Sequence, residues 1–284
     1  MQTPRLITIG FSHYCEKARW ALDRAGIPYH EERHPPALHY RALKGLGAGS
    51  QVPVLVFPSE RLRSRASRSE SQLSQPKDEA IHWIHSLFRL RKHAGGALGD
   101  STAILRWVDA RTPADRALYP ADIADEVAAL EDGFDEVLGP HIRRVVYFYG
   151  LQVKPVMVWT ATQGVGRLDK LLMPLLMPFA GRFFGSKLGL SPEQIERSKA
   201  KVEATLVDVD NRIKDGRRFL VGDRFTAADL TFASLVAPAL LPTNYGAPLP
   251  TRDQLPAGYG AWMDDLAARH PAVAFARRLY AEAR

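Results

Sequence analysis

Strand-forming sequence in this chain is confined to its first 57 residues and to a weak signal just after 97, and beyond Pro120 there is none. Three short β-rich runs, 6–9, 29–33 and 52–57, alternate with helical pattern, and everything after the linker at 112–120 reads as helix. A chain divided in this way folds as a small α/β unit followed by an all-helical one. At 284 residues it has material for about two domains of roughly 150 residues each. Apolar residues at 46% and charged residues at 24% fit a globular protein and exclude fibrous, disordered and multi-span membrane classes.

The first unit reads β-α-β-α-β-(β)-α. Ser12 precedes a helix whose Ala18, Leu22 and Ala25 share one face, with Ala21 beside them. Ser12 is an N-cap residue and Gly26 a C-terminal stop, with Pro28 forbidding continuation. A short helix is expected around 38–43 and a third strand over 52–57, with Pro53 at its start. Asp100-Ser101 opens another helix. In the second unit, Ser191 caps a long helix with Pro192 at its first position, and Thr226-Ala-Ala-Asp229 has capping-box spacing. Helical pattern also covers 126–137, the region from 258 and 272–283. The apolar stretch 168–185 contains Pro174 and Pro178, which are expected to kink it; it reads as a buried segment or a wall of a substrate pocket rather than a membrane-surface helix.

The net charge of +7 invites a nucleic-acid or membrane partner, but it is unevenly placed. The stretch 59–97 carries Arg61, Arg63, Arg65, Arg68, Lys77, Arg89, Arg91 and Lys92 against Glu60, Glu70, Asp78 and Glu79. The rest of the chain is nearly balanced. This stretch is poor in apolar residues, apart from a possible amphipathic helix over 81–90, and reads as a solvated insertion. No base-reading motif accompanies it, so no nucleic-acid partner is expected. No apolar run reaches the ~18 residues of a membrane span, and no secretory leader is visible, so a cytoplasmic location is expected. The single cysteine, Cys15, excludes an intrachain disulfide and a multi-cysteine zinc site. His30, His34 and His39 with Glu31 and Glu32 do not converge on a metal, and none is expected.

The order of a strand, a helix opening Ser12-His13-Tyr14-Cys15, Gln51-Val52-Pro53 entering a strand, Asp100-Ser101 opening a helix, and Phe219–Leu230 (FLVGDRFTAADL) resembles the cytosolic glutathione transferase family. The resemblance spans nearly all of the chain except the insertion. It implies an α/β thioredoxin-like N-terminal domain over 1–112, carrying the basic insertion at 59–97, and an all-α helical-bundle C-terminal domain over 121–284. It also implies glutathione as co-substrate, a hydrophobic electrophile as second substrate, a role in detoxification, and a homodimer.

The resemblance assigns residues as follows. Ser12, at the reactive position of the fold, would donate its hydroxyl to the glutathione thiolate. A hydrogen bond to an ion is worth about 1.5–3 kcal/mol, enough to lower a thiol pKa by roughly one to two pH units. Val52 would pair with the cysteinyl backbone through a cis Val52–Pro53 peptide, and Gln51 would reach the glycine carboxylate. Asp100 and Ser101 would hold the γ-glutamyl ammonium and carboxylate at a helix N-terminus. Lys44 and His39 lie where a basic residue is common. The acceptor pocket would lie between the domains, with Arg143, Tyr147 and Tyr149 as candidates. Other readings stay open at this point. Cys15, in the second slot of a redox CxxC pattern, is a core cysteine or the thiol of a thiol-disulfide enzyme; the chain could also bind glutathione or a hydrophobic ligand without turnover, or act as a membrane or nucleic-acid module through its insertion.

Overall fold

The computed structural model describes residues 3–58 and 96–284, with side chains throughout these except 180–183. The sequence expectations at 59–95, including the helix over 81–90, lie outside the described residues.

The first unit is a four-stranded sheet in the order β2-β1-β3-β4, with β1 at Arg5–Thr8, β2 at His30–Arg33, β3 at Val54–Val56 and β4 at Ala97–Gly99. β1 and β2 are parallel and linked by a crossover helix, α1 (His13–Arg24), as parallel pairing demands. β3 runs antiparallel to β1, and β4 antiparallel to β3. The hairpin is closed at its base, where Phe57 N–H donates to Gly96 O at 2.7 Å. The fourth strand therefore forms, and the insertion ends earlier than the 97 expected from sequence, because Ala97 pairs with Val56. Gly99 is required here: a Cβ would lie 2.4 Å from the Ala48 carbonyl oxygen. A short helix, α2 (His39–Leu43), and α3 (Ser101–Asp109) complete this thioredoxin-like unit.

The second unit is all helix. It comprises α4 (Ala124–Gly133), a π-helical turn (Phe134–Leu138), α5 (Gly139–Gly150), α6 (Lys154–Ala161), α7 (Arg167–Leu188), α8 (Pro192–Ile213), α9 (Ala227–Val236), α10 (Ala257–Arg269) and α11 (Pro271–Ala283). Ser191 caps α8 by accepting from Gln194 N–H, with Pro192 in the first turn. α9 is buried along its whole length, and its Thr226–Asp229 capping box is formed. Pro174 and Pro178 do not break α7, which runs through both without interruption.

The two units share one hydrophobic core. α1 packs on α3 and α9, and Trp20 of α1 stacks on Tyr280 and Phe225 while donating to Ala283 O at 2.8 Å. α1 is buried well beyond the single face its alanines and leucines mark, since Glu16, Lys17 and Arg19 are buried too. The reason is position: the helix is sandwiched between the sheet and the helical unit. Buried charges persist only when paired, and each of these is.

Candidate functional site

Strand register assembles the site. Ile7, Val54 and Gly99 lie in one row across β1, β3 and β4. Because β3 is antiparallel to both neighbours, the chain leaves that row at the same end of the sheet in all three strands. It continues from β1 to Ser12, backwards from β3 to Pro53, Val52 and Gln51, and from β4 to Asp100 and Ser101. Five of the seven candidate residues, Ser12, Val52, Pro53, Asp100 and Ser101, thus flank one edge, with exposed Gln51 beside them. The Val52–Pro53 peptide is cis.

The loop before Ser12 is pinned through its carbonyls. Ile9 O accepts from Ser12 N–H at 3.0 Å, Gly10 O from the Arg19 guanidinium at 2.8 Å, and Phe11 O from Tyr245 O–H at 3.1 Å. Arg19, fully buried, also donates to Glu31 at 2.7 Å and Glu16 at 3.2 Å. Glu16 in turn accepts from Arg284 at 2.7 Å and from Gly246 N–H at 3.0 Å. The C-terminal residues therefore brace the loop that carries Ser12.

Ser12 is the N-cap of α1 with extended backbone, but its hydroxyl makes no capping bond, contrary to the sequence expectation. The hydroxyl is left half-buried at the positive end of the helix, where negative charge is favoured. Cys15, one turn on, is fully buried; burial pushes its thiol up, with Arg19 and the Ser12 hydroxyl acting in the opposite direction. A thiol held protonated away from solvent is a poor nucleophile.

Asp100 has positive φ (80°), rare for a residue with a Cβ, and its carboxylate caps α3 by accepting from Thr102 N–H at 2.8 Å. Asp100 itself is exposed and Ser101 is buried. The next residue, Thr102, enters a buried cluster that joins the two units. Lys17 donates to Glu131 at 2.8 Å, Asp135 at 2.6 Å and Thr102 Oγ1 at 3.0 Å. Tyr119 O–H donates to Glu131 at 2.6 Å. Burial would lower the Lys17 ammonium, but Glu131 and Asp135 override it and hold it above the usual lysine value. Burial raises the Asp135 carboxyl despite Lys17. The first turn of α3, and with it Asp100 and Ser101, is anchored on these charges.

Beside Ser12, His13 is buried and its imidazole pushed down to about 3, first by burial and then by the neighbouring Arg143, so it is neutral. Tyr14 donates to Asp135 O at 2.9 Å, and Arg143 lies over its ring at 5.9 Å. Gly139 opens α5 because Tyr14 leaves no room: a Cβ there would sit 2.1 Å from the phenol oxygen. Tyr14 is thus a packing residue between the units. His39 is buried and Lys44 exposed. His34 is spent on Glu32 and Asp169, each at 2.9 Å. Among the described residues no cluster of His, Cys, Asp and Glu is placed to hold a metal.

An apolar cavity of about 60 Å³ opens next to the site. Phe11, adjacent to Ser12, lines it together with Tyr149, Met157, Leu249 and Tyr259 from the helical unit. Of the three acceptor candidates, Tyr149 lines this cavity. Tyr147 does not; it is buried between Phe11 and Phe184. Arg143 belongs to the Tyr14–His13 contact instead. Phe11 carries no sequence signal of a pocket residue, since in the sequence it only follows the first strand.

With this geometry in place, comparison with known proteins identifies the family. The glutathione S-transferase N-terminal domain model matches 11–111 and the C-terminal domain model matches 192–274, together more than half of the chain. The chain belongs to the glutathione S-transferase family. No curated protein sequence matches it. Among solved structures, it is similar to a glutathione S-transferase of Ceriporiopsis subvermispora in complex with glutathione (16% identity, 100% of this chain and 98% of that one, TM-score 0.58). It is also similar to a glutathione transferase of Phanerochaete chrysosporium (17% identity, 100% and 98%, TM-score 0.57). A third is a β-etherase of Sphingobium (16% identity, 98% and 99%, TM-score 0.55). At these identities the likeness establishes the glutathione S-transferase fold and nothing finer.

Proposed function

We propose that this glutathione S-transferase binds glutathione at the shared sheet edge and joins it through its sulfur to a hydrophobic electrophile. The observation that carries this reading is the Ser12 hydroxyl, free of any capping bond at the N-terminus of α1, on the same edge as Val52, Asp100 and Ser101.

In this reading, Asp100 takes the γ-glutamyl ammonium, and Ser101 with the first turn of α3 takes its carboxylate. Val52 pairs with the cysteinyl backbone, and Gln51 reaches the glycine carboxylate. Ser12 donates to the sulfur. The thiol proton leaves to solvent, the thiolate attacks an electrophilic carbon, a C–S bond forms and the leaving group departs with its electron pair. The cavity beside Phe11 receives the apolar part of the acceptor. Burial of Cys15 favours this reading over a thiol-disulfide enzyme.

In Ser12→Ala, the pKa of bound glutathione is expected to rise by roughly one to two pH units, because a charge-assisted hydrogen bond worth about 1.5–3 kcal/mol is lost. Thiolate absorbance of the saturated complex, followed across pH, measures this directly. Cys15→Ser is expected to leave the titration in place. An unchanged titration in Ser12→Ala, with activity lost in Cys15→Ser, would transfer the role to the cysteine.

A further inference from the structure

The helix α7 is apolar on two opposite sides. At about 3.6 residues per turn, Met173, Met177, Phe184 and Leu188 form one stripe, which packs into a small core with Phe11, Tyr147 and Met157. Leu168, Leu171, Leu175 and Phe179 form the opposite stripe, and they are 61%, 70%, 66% and 66% exposed. Trp159 of the neighbouring α6 is 42% exposed as well. The sequence expectation that 168–185 is a buried segment or a wall of a substrate pocket is therefore corrected in its first part: only one side of the helix is buried. A contiguous apolar surface of this kind marks an interaction site rather than an ordinary solvated face.

Charge selects the occupant. The stretch 151–190 contains Lys154, Arg167, Lys170, Arg182 and Lys187 and a single acid, Asp169. Asp169 is buried and paired with Arg41 and His34, so it offers no exposed charge. Lys154 and Arg167 are exposed, and so is Lys170 on the side of the methionine stripe. Within 151–190 the surface is thus apolar and cationic with no exposed carboxylate. A second copy of the chain seated on it by two-fold symmetry would bring the same cations together without an acid to meet them. An anionic bilayer supplies what both features need: an apolar interior for the leucines and negative headgroups for the cations. Among the described residues no helix is long and apolar enough to cross a membrane.

We propose that α6 and α7 form a docking surface for an anionic lipid bilayer, with Leu168, Leu171, Leu175 and Phe179 entering the boundary between headgroups and acyl chains and the exposed cations of the same helices meeting the lipid charge. This holds whether or not the chain conjugates glutathione.

The test is co-sedimentation of the full chain with vesicles of phosphatidylcholine alone and with phosphatidylglycerol added. Binding is expected to the anionic vesicles and to weaken with salt. Replacing the three most exposed side chains, Leu171→Gln, Leu175→Gln and Phe179→Gln, is expected to cut it by at least about tenfold, given the apolar area withdrawn from the bilayer. Lys154→Glu and Arg167→Glu provide a second variant set that leaves the apolar stripe intact; each reversal is expected to cost at least about fivefold on anionic vesicles. Absence of vesicle binding by the intact chain, or binding undiminished in both variant sets, would overturn the proposal. So would sedimentation equilibrium showing that the glutamine variant turns a dimer into a monomer while vesicles are ignored, since a second copy would then be the occupant.

Discussion

Lys17→Met is expected to lower the unfolding free energy by about 3–5 kcal/mol, the usual cost of removing one partner from a buried ion pair. Lys17 is completely buried and supplies donors to Glu131, Asp135 and Thr102. Methionine fills similar volume, so the loss is electrostatic. Among the described residues it leaves the fully buried Glu131 carboxylate with the Tyr119 and Thr102 hydroxyls as hydrogen-bond partners and the Asp135 carboxyl beside it. Urea denaturation at neutral pH measures the effect. Adding Glu131→Gln to Lys17→Met is expected to recover part of the loss by removing the stranded charge. A loss below about 1 kcal/mol in the single variant would mean that the cluster is hydrated rather than dry, since exposed pairs contribute at that level. The same variant is expected to loosen the first turn of α3, because Thr102 belongs to both.

The second large effect is expected at Asp229. Its buried carboxylate accepts from Leu220 N–H at 2.8 Å, Thr226 N–H at 2.9 Å and Thr226 O–H at 3.0 Å. Asp229→Ala leaves two buried backbone donors unpaired at about 1–3 kcal/mol each, so a loss of roughly 3 kcal/mol is expected at pH 7. Burial pushes the carboxyl up to about 6, against these three donors. The folded value thus lies above that of an unfolded aspartate, so the folded state binds the proton more tightly. The contribution of Asp229 is greatest at acid pH and declines as pH rises through 6. The stability gap between the intact chain and Asp229→Ala is therefore expected to widen by about 1 kcal/mol from pH 7 to pH 5. Parallel denaturation curves at the two pH values decide this, and a gap that narrows would contradict it.

The β/α-then-helix plan was legible because it rests on local signals: strand runs, Ser191 and Thr226 as caps, Gly26 as a stop. The sheet edge was legible only through the family resemblance, since nothing local says that Ser12, Val52 and Asp100 converge; register does that, and register is non-local. Two features resisted sequence reading for definite reasons. Glu16, Lys17 and Arg19 look like a solvated face of α1, yet their partners, Glu131, Asp135, Glu31 and Arg284, lie up to 268 positions away. The apolar stretch 168–185 reads as buried because composition does not reveal that only one stripe finds partners. α7 carries both of its prolines in the exposed part of its surface and continues through them.

The proposed function requires glutathione to occupy the edge that Ser12, Val52, Asp100 and Ser101 share. Titration calorimetry of the intact chain, Asp100→Ala and Ser12→Ala with glutathione tests it most directly. Binding by the intact protein, weakened at least about tenfold (1.4 kcal/mol) in Asp100→Ala and little changed in Ser12→Ala, is the predicted result. No heat of binding from the intact protein, or equal affinity in the Asp100→Ala variant, would contradict it.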